Sequence, residues 1–241
     1  MERIINTENY RSFTYVNDEI INGNIKGVVV RFHGLGGQDM FHTDTYEGKL
    51  FAERGILYVV PYQNPWAWMN ADTVQFVDEI IDVLFEKYAL DENTPIVSCG
   101  DSMGGQSCLV YAAYAKRTPI SCAANCPVCD VVFHFTERVD LPRTFYSALH
   151  GYEGSLEDAL KSISPLHIGL NMPKITYHIY HCDKDMAVNI DLHSGKLVKL
   201  LSENGYNVDY RIIKDKNHCE LSDEIWNEYL YMIAEDIESY C

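Results

Sequence analysis

The sequence predicts an α/β architecture: a doubly wound, mostly parallel sheet flanked by helices. Two observations carry this. Short apolar runs rich in β-branched residues alternate with longer stretches of helical period from residue 27 onward. No internal repeat, linker or low-complexity segment interrupts that alternation, so the 241 residues are expected to form one domain spanning 1–241.

The elements follow in order. Near the N-terminus "RSFTYVND" alternates like an edge strand, and "NGN" at 22–24 is a turn signal, which together predict an antiparallel hairpin strand. "GVVVRF" (27–32) is a buried strand that stops at a glycine-rich turn, and "ILYVVPY" (56–62) is a second. Between them Tyr46, Leu50 and Phe51 supply one apolar helix face. The clearest helix is "ADTVQFVDEIIDVLFEKYAL", where Val74, Val77, Ile80, Ile81, Leu84 and Phe85 recur at spacings of three and four. "TPIVSCG" is then a strand, "QSCLVYAAYAK" a helix, and "PISCAANCPVCD" (119–130) a further strand. "KITYHIYH" (174–181) and "VDYRIIKD" (208–215) complete the sheet; a helix in "DLHSGKLVKLLSENG" stops at Gly205, and "SDEIWNEYLYMIAEDIESY" forms the terminal helix. The stretch at about 131–164 fits neither a strand nor a simple crossover, and predicts a short lid insertion over one end of the sheet.

Charge and composition narrow the function. A formal net charge of -16, with no Lys/Arg cluster to offset it, repels phosphate backbones and anionic lipid at long range, so neither nucleic acid nor a membrane surface is an expected partner. The opening "MERIINTENY" lacks a secretory pattern, and no window reaches the roughly 18 apolar residues of a membrane span. Eight cysteines, at 99, 108, 122, 126, 129, 182, 219 and 241, lie mostly within apolar runs, as reduced core thiols do, which points to a cytoplasmic protein.

The chemistry centres on "CGDSMGGQS" (99–107), a serine among glycines where a strand gives way to a helix. In Gly100-Asp101-Ser102-Met103-Gly104 the serine sits on a tight turn that lifts its hydroxyl out of the sheet, and the small flanking residues let the crowded backbone pass. The helix that follows aims free N–H groups and its positive dipole end at the place where an oxyanion forms. The lysine of a phosphate-binding GxxxxGK[ST] loop is absent, as is a dinucleotide GxGxxG. "HGLGG" (33–37) ends a neighbouring strand at the same sheet edge, which makes the amides of Leu35 and Met103 the candidate oxyanion donors. A base and an orienting carboxylate must come from the ends of later strands. His218, in "KNHCEL", follows the last strand; in "HCDKDMAV" Asp185 is the preferred acid, with Asp183 as its rival.

The set "HGLGG", "GDSMGG", "HCDKD" and "KNHCE", in that order and at those strand ends, resembles the α/β-hydrolase superfamily over nearly the whole chain. The short length and the "SISPLHI...MPKITYHIYHCDKDMAV" block resemble small serine esterases and the prolyl oligopeptidase-like and dienelactone hydrolase-like branches. The resemblance puts the nucleophile on Ser102, the acid on Asp185 and the base on His218. Cys182 stands where the family usually has glycine, and Asn217 where glycine often precedes the histidine. Dienelactone hydrolases proper use a cysteine nucleophile; this chain has Ser102.

The expected activity is therefore hydrolysis of a small carboxylic ester through an acyl-enzyme, with no cofactor and no metal. A peptidase or amidase, or a ligand-binding protein on the same fold, are the alternatives. Cys122, Cys126 and Cys129 lie at short spacing, but a strand would turn them to opposite faces, and so too His178 and His181. Trp66 and Trp68 in "NPWAWMN" follow a strand at the functional edge and are candidate substrate-pocket walls. Phe133, His134, Arg143, Tyr146, His150 and Tyr152 of the insertion are left unranked as shapers of substrate access.

Overall fold

The computed structural model describes residues 3–37 and 40–240. Its sheet has seven strands, β1 (Thr14–Val16), β2 (Gly27–Phe32), β3 (Ile56–Pro61), β4 (Ile96–Asp101), β5 (Ser121–Asn125), β6 (Thr176–Cys182) and β7 (Asn207–Ile213), in the order β1-β3-β2-β4-β5-β6-β7. Only β1 runs antiparallel, along β3; the other pairings are parallel. The helices are α1 (Tyr46–Glu53), α2 (Ala71–Lys87), α3 (Met103–Tyr114), α4 (Val131–Glu137), α5 (Pro142–Ala148), α6 (Leu156–Ser162), α7 (Pro165–Ile168), α8 (Ser194–Glu203) and α9 (Asp223–Tyr240).

Strand periodicity divides the core. Val28 and Val30 of β2 turn to one face, where they join Val77 and Ile80 of α2, Leu109 of α3 and Leu197 of α8. Val29 turns to the other, against Phe51 of α1 and Ile233 and Ile237 of α9. The doubly wound expectation is thus met, and both faces of the central strands are buried as a parallel sheet requires. A third apolar cluster, with Trp68, Val131, Leu141 and Phe145, lies beneath α4, α5 and α6. No described helix is long and apolar enough to cross a membrane.

Three expectations need correction. The N-terminal strand forms no hairpin with β2. It lies on β3 instead, where the Asn17 side chain donates to the carbonyls of Gly48 and Ile56 and accepts the amide of Tyr58. The strand expected over 119–130 ends at Asn125, because Cys126 takes a left-handed φ of 45° and Pro127 has no N–H for a ladder. The 131–164 stretch carries the helices α4, α5 and α6. Tyr46 is 55% exposed and does not share the buried face of Leu50 and Phe51. The described cysteines are free thiols, all buried except the half-buried Cys219, while Cys241 lies outside the described residues.

Candidate active site

Strand β4 delivers Ser102 at its C-terminal end, and the turn into α3 holds it at φ 58° and ψ -118°. That backbone conformation is costly for a residue other than glycine and persists only where its surroundings enforce it. They do so through close approach. A Cβ added to Gly104 would stand 2.1 Å from the Phe32 carbonyl oxygen, and one added to Gly100 would stand 2.5 Å from the Gly104 carbonyl carbon. The Ser102 amide donates to the Asn125 carbonyl, and the Asn125 side chain in turn donates to Asp101, which also pairs with Arg31 at 3.0 Å. The turn is therefore stitched to β5 and β2 on either side.

Two later loops reach the serine. His218, beyond β7, places Nε2 2.8 Å from Ser102 Oγ. Its Nδ1 lies 2.6 Å from Oδ2 of Asp185, in the loop after β6. The other carboxylate oxygen of Asp185 accepts the amides of Ala187 and Val188, both at 2.8 Å. Burial would raise the Asp185 pKa, but hydrogen bonds from His181 and His218 and from the Val188 amide outweigh it and hold the carboxyl well below the usual range. Burial would lower the His218 pKa; the bond to Asp185 and its charge oppose this, and the group is pushed up to about 9. Asp183 faces elsewhere: its carboxylate accepts the Asp215 amide and pairs with Lys214.

The loop after β2 passes beside the serine, since a Cβ on Gly34 would come 3.9 Å from Ser102 Cβ. Among the described residues no protein acceptor engages the amide of Leu35 or of Met103, the latter at the first position of α3.

A pocket of about 370 Å³ opens on Ser102 and His218. Leu35, Trp68, Val128 and Val188 make its apolar wall, and His134 and Arg138 its polar side. Trp68 is wholly buried, stacked on Phe145 at 4.2 Å with Nε1 donating to Thr144 Oγ1. Trp66 is not among the pocket-lining residues; its ring lies under the guanidinium of Arg143 at 5.4 Å, so the expectation that it walls the pocket is corrected. Of the insertion residues left unranked, His134 alone lines the pocket. Arg138, Val128, Val188 and Cys219 were missed, although all follow strands or helices at the edge marked by Ser102.

Neither a family model nor a curated protein matches this sequence. Solved structures do. A puromycin-hydrolyzing peptidase of Mycobacterium tuberculosis superposes with a TM-score of 0.70 at 16% identity, over 91% of this chain and 34% of its own. An acylaminoacyl peptidase of Pyrococcus horikoshii gives 0.69 at 16% identity, over 91% and 38%. Esterase B of Lactobacillus rhamnosis gives 0.68 at 13% identity, over 91% and 78%. The chain has the α/β-hydrolase fold. It spans about a third of the length of the peptidases it resembles, and at these identities the likeness is one of architecture.

Proposed function

We propose that this protein is a serine hydrolase that cleaves a small carboxylic ester through an acyl-enzyme. The observation that carries the reading is the unbroken hydrogen-bonded chain from Ser102 Oγ through His218 to the buried carboxylate of Asp185. In the reaction, His218 Nε2 takes the hydroxyl proton as Ser102 Oγ bonds to the substrate carbonyl carbon. The carbonyl oxygen becomes an oxyanion held by the amides of Leu35 and Met103, each such donor contributing about 3 to 4 kcal/mol. The tetrahedral species collapses, the bond to the alcohol breaks, and His218 returns the proton to it. Water repeats the sequence on the acyl-enzyme, releasing the acid. Asp185 keeps the Nδ1–H tautomer and stabilises the imidazolium.

The test is labelling with a fluorophosphonate followed by peptide mapping, alongside turnover of a short-chain aryl ester. The adduct is expected on Ser102, and Ser102→Ala is expected to lose turnover by a factor on the order of a million. An adduct on another residue, or full turnover by Ser102→Ala, defeats the reading. Amide or peptide hydrolysis at the same serine is the second reading, favoured by the shared fold of the puromycin-hydrolyzing and acylaminoacyl peptidases. Matched ester and anilide substrates separate the two. A ligand-binding protein without turnover would take no phosphonate.

A further inference from the structure

Among the described residues, three groups bring His, Cys, Asp or Glu ligand atoms within 4.8 Å of one another. Hydrogen bonding and access set them apart. In His134, Glu137 and His193, the Nδ1 of His193 accepts the amides of Cys129 and Asp130 at 3.2 and 3.1 Å. A backbone amide only donates, so Nδ1 holds the lone pair and Nε2 carries the proton, directed at Glu137. That ring has nothing at Nε2 to give a cation. In Cys126, His181 and Asp185 every member is buried and none lines the pocket, so a cation has no open path to the group.

The third group, Cys126, His218 and Cys219, differs on both counts. Asp185 accepts the Nδ1–H of His218, so in the neutral ring the lone pair is on Nε2, 3.6 Å from Cys219 Sγ. A carboxylate behind an imidazole that keeps its far lone pair is the arrangement that orients a metal-binding histidine, and a cation at Nε2 would displace the Ser102 hydroxyl now 2.8 Å away. Cys126 Sγ accepts the amides of Cys182 and Cys219, each at 3.4 Å, which fixes the sulfur in place beside the imidazole. Both cysteines adopt left-handed φ, 45° and 56°, so the backbone holds two thiols beside one imidazole at a conformational cost. His218 and Cys219 line the pocket, which provides the entry path.

We propose that Cys126 Sγ, Cys219 Sγ and His218 Nε2 form a site for a soft divalent cation, Zn²⁺ or Cd²⁺, whose binding stops hydrolysis by occupying the lone pair of the base. Two thiolates and one imidazole suit such ions, and a water in the pocket completes a tetrahedral shell. The two thiol protons pass to solvent as the sulfur–metal bonds form. Hard, oxygen-preferring Mg²⁺ has no suitable donors here. The inhibitory half of the proposal rests on the reading of His218 as general base; the binding half does not.

The experiment titrates the full chain with Zn²⁺ against a chromophoric chelator, follows the thiolate-to-metal charge-transfer band with Co²⁺, and measures ester turnover in the same samples. One equivalent of Zn²⁺ is expected to bind and abolish turnover, with EDTA restoring it and Mg²⁺ having no effect. Cys219→Ser, at the half-buried position, is expected to weaken Zn²⁺ binding at least about tenfold and to remove the corresponding part of the Co²⁺ band. Cys126→Ala is the second variant, each being compared with its own metal-free rate. Equal Zn²⁺ affinity in the native chain and Cys219→Ser, or turnover unaffected by one bound equivalent, overturns the proposal. If the chain binds Zn²⁺ through Cys219 but hydrolyses no ester, the hydrolase reading falls and the cation site stands. If it hydrolyses ester and shows no thiolate band, the site falls and the hydrolase reading stands.

Discussion

Asp185 Oδ2 lies 2.6 Å from His218 Nδ1 while its Oδ1 is held by the amides of Ala187 and Val188, so both carboxylate oxygens are fixed before any substrate arrives. The imidazole inherits that rigidity. It also inherits a raised pKa, because burial, which disfavours the cation, is outweighed by the bond to Asp185 and its charge together with the neighbouring Cys126 sulfur.

The pH dependence follows in sign. The base is the neutral imidazole, so kcat/KM for an aryl ester is expected to climb with pH through a midpoint near the His218 value of about 9 and to level off above it. Stability runs the other way. A raised folded pKa contributes stability that is fully present below the unfolded value of about 6.5 and is lost as pH rises through about 9. Asp185→Asn is expected to move the ascending limb toward the unperturbed value and to lower the rate by roughly ten thousandfold. A native limb centred at or below pH 6.5 contradicts this account.

Gly104→Ala is expected to cost more than about 3 kcal/mol and to abolish activity. The added Cβ meets the Phe32 carbonyl oxygen at 2.1 Å and the His33 carbonyl oxygen at 2.9 Å, and both are backbone atoms that cannot swing away. Gly36→Ala is the contrasting case. It has open space around its Cβ position and only a φ of 76° to resist the change, which predicts a loss of about 1 kcal/mol. Urea unfolding of the two variants reads the difference, and equal losses would count against packing as the cause.

What was legible in the sequence was local. Strands β2, β3, β4, β6 and β7 are apolar runs that stop at turns, and the serine turn announces itself through glycines whose spacing reports backbone crowding. What was not legible depends on distant partners. The run through Cys126, Val128 and Cys129 is apolar because it is buried around the site, not because it is strand, since the Val128 amide points back to the Ser102 carbonyl. The partner of β1 is decided by one asparagine, Asn17, reaching residues 31 and 39 positions away. The meeting of Cys126 with Cys219 spans 93 positions, and Trp66 and Trp68 are neighbours in the chain with different surroundings.

Phe145→Ala tests whether α4, α5 and α6 form a structural cover over the pocket. Phe145 is fully buried and stacks on Trp68, which lines the pocket, while Asn70 at the start of α2 donates to the Ala148 carbonyl at 2.5 Å. Truncation is expected to cost about 3 to 5 kcal/mol. Because this cluster is separate from the two that cover the sheet faces, the loss is expected to fall on local opening. Limited proteolysis should cut sooner between residues 138 and 155, and KM should rise more than kcat falls. Unchanged cleavage with a lower global melting temperature would assign Phe145 to the main core instead.

His193 supplies a separate acid-sensitive element. Burial, reinforced by His134 and only partly offset by Glu137, pushes its pKa down to about 4, and its Nδ1 lone pair serves the amides of Cys129 and Asp130. Protonating that nitrogen means breaking both bonds inside the fold. The unfolded chain, with an ordinary value near 6.5, binds the proton more readily, so stability falls as pH drops from about 6.5 through about 4, by up to about 3 kcal/mol. Asn in place of His193 offers an oxygen acceptor to the same amides and carries no titrating group. His193→Asn is therefore expected to flatten the urea-unfolding free energy between pH 6.5 and 4 relative to the native chain, leaving the further loss below pH 4 that protonation of Asp185 imposes. An unchanged slope between pH 6.5 and 4 would place the acid sensitivity in other groups.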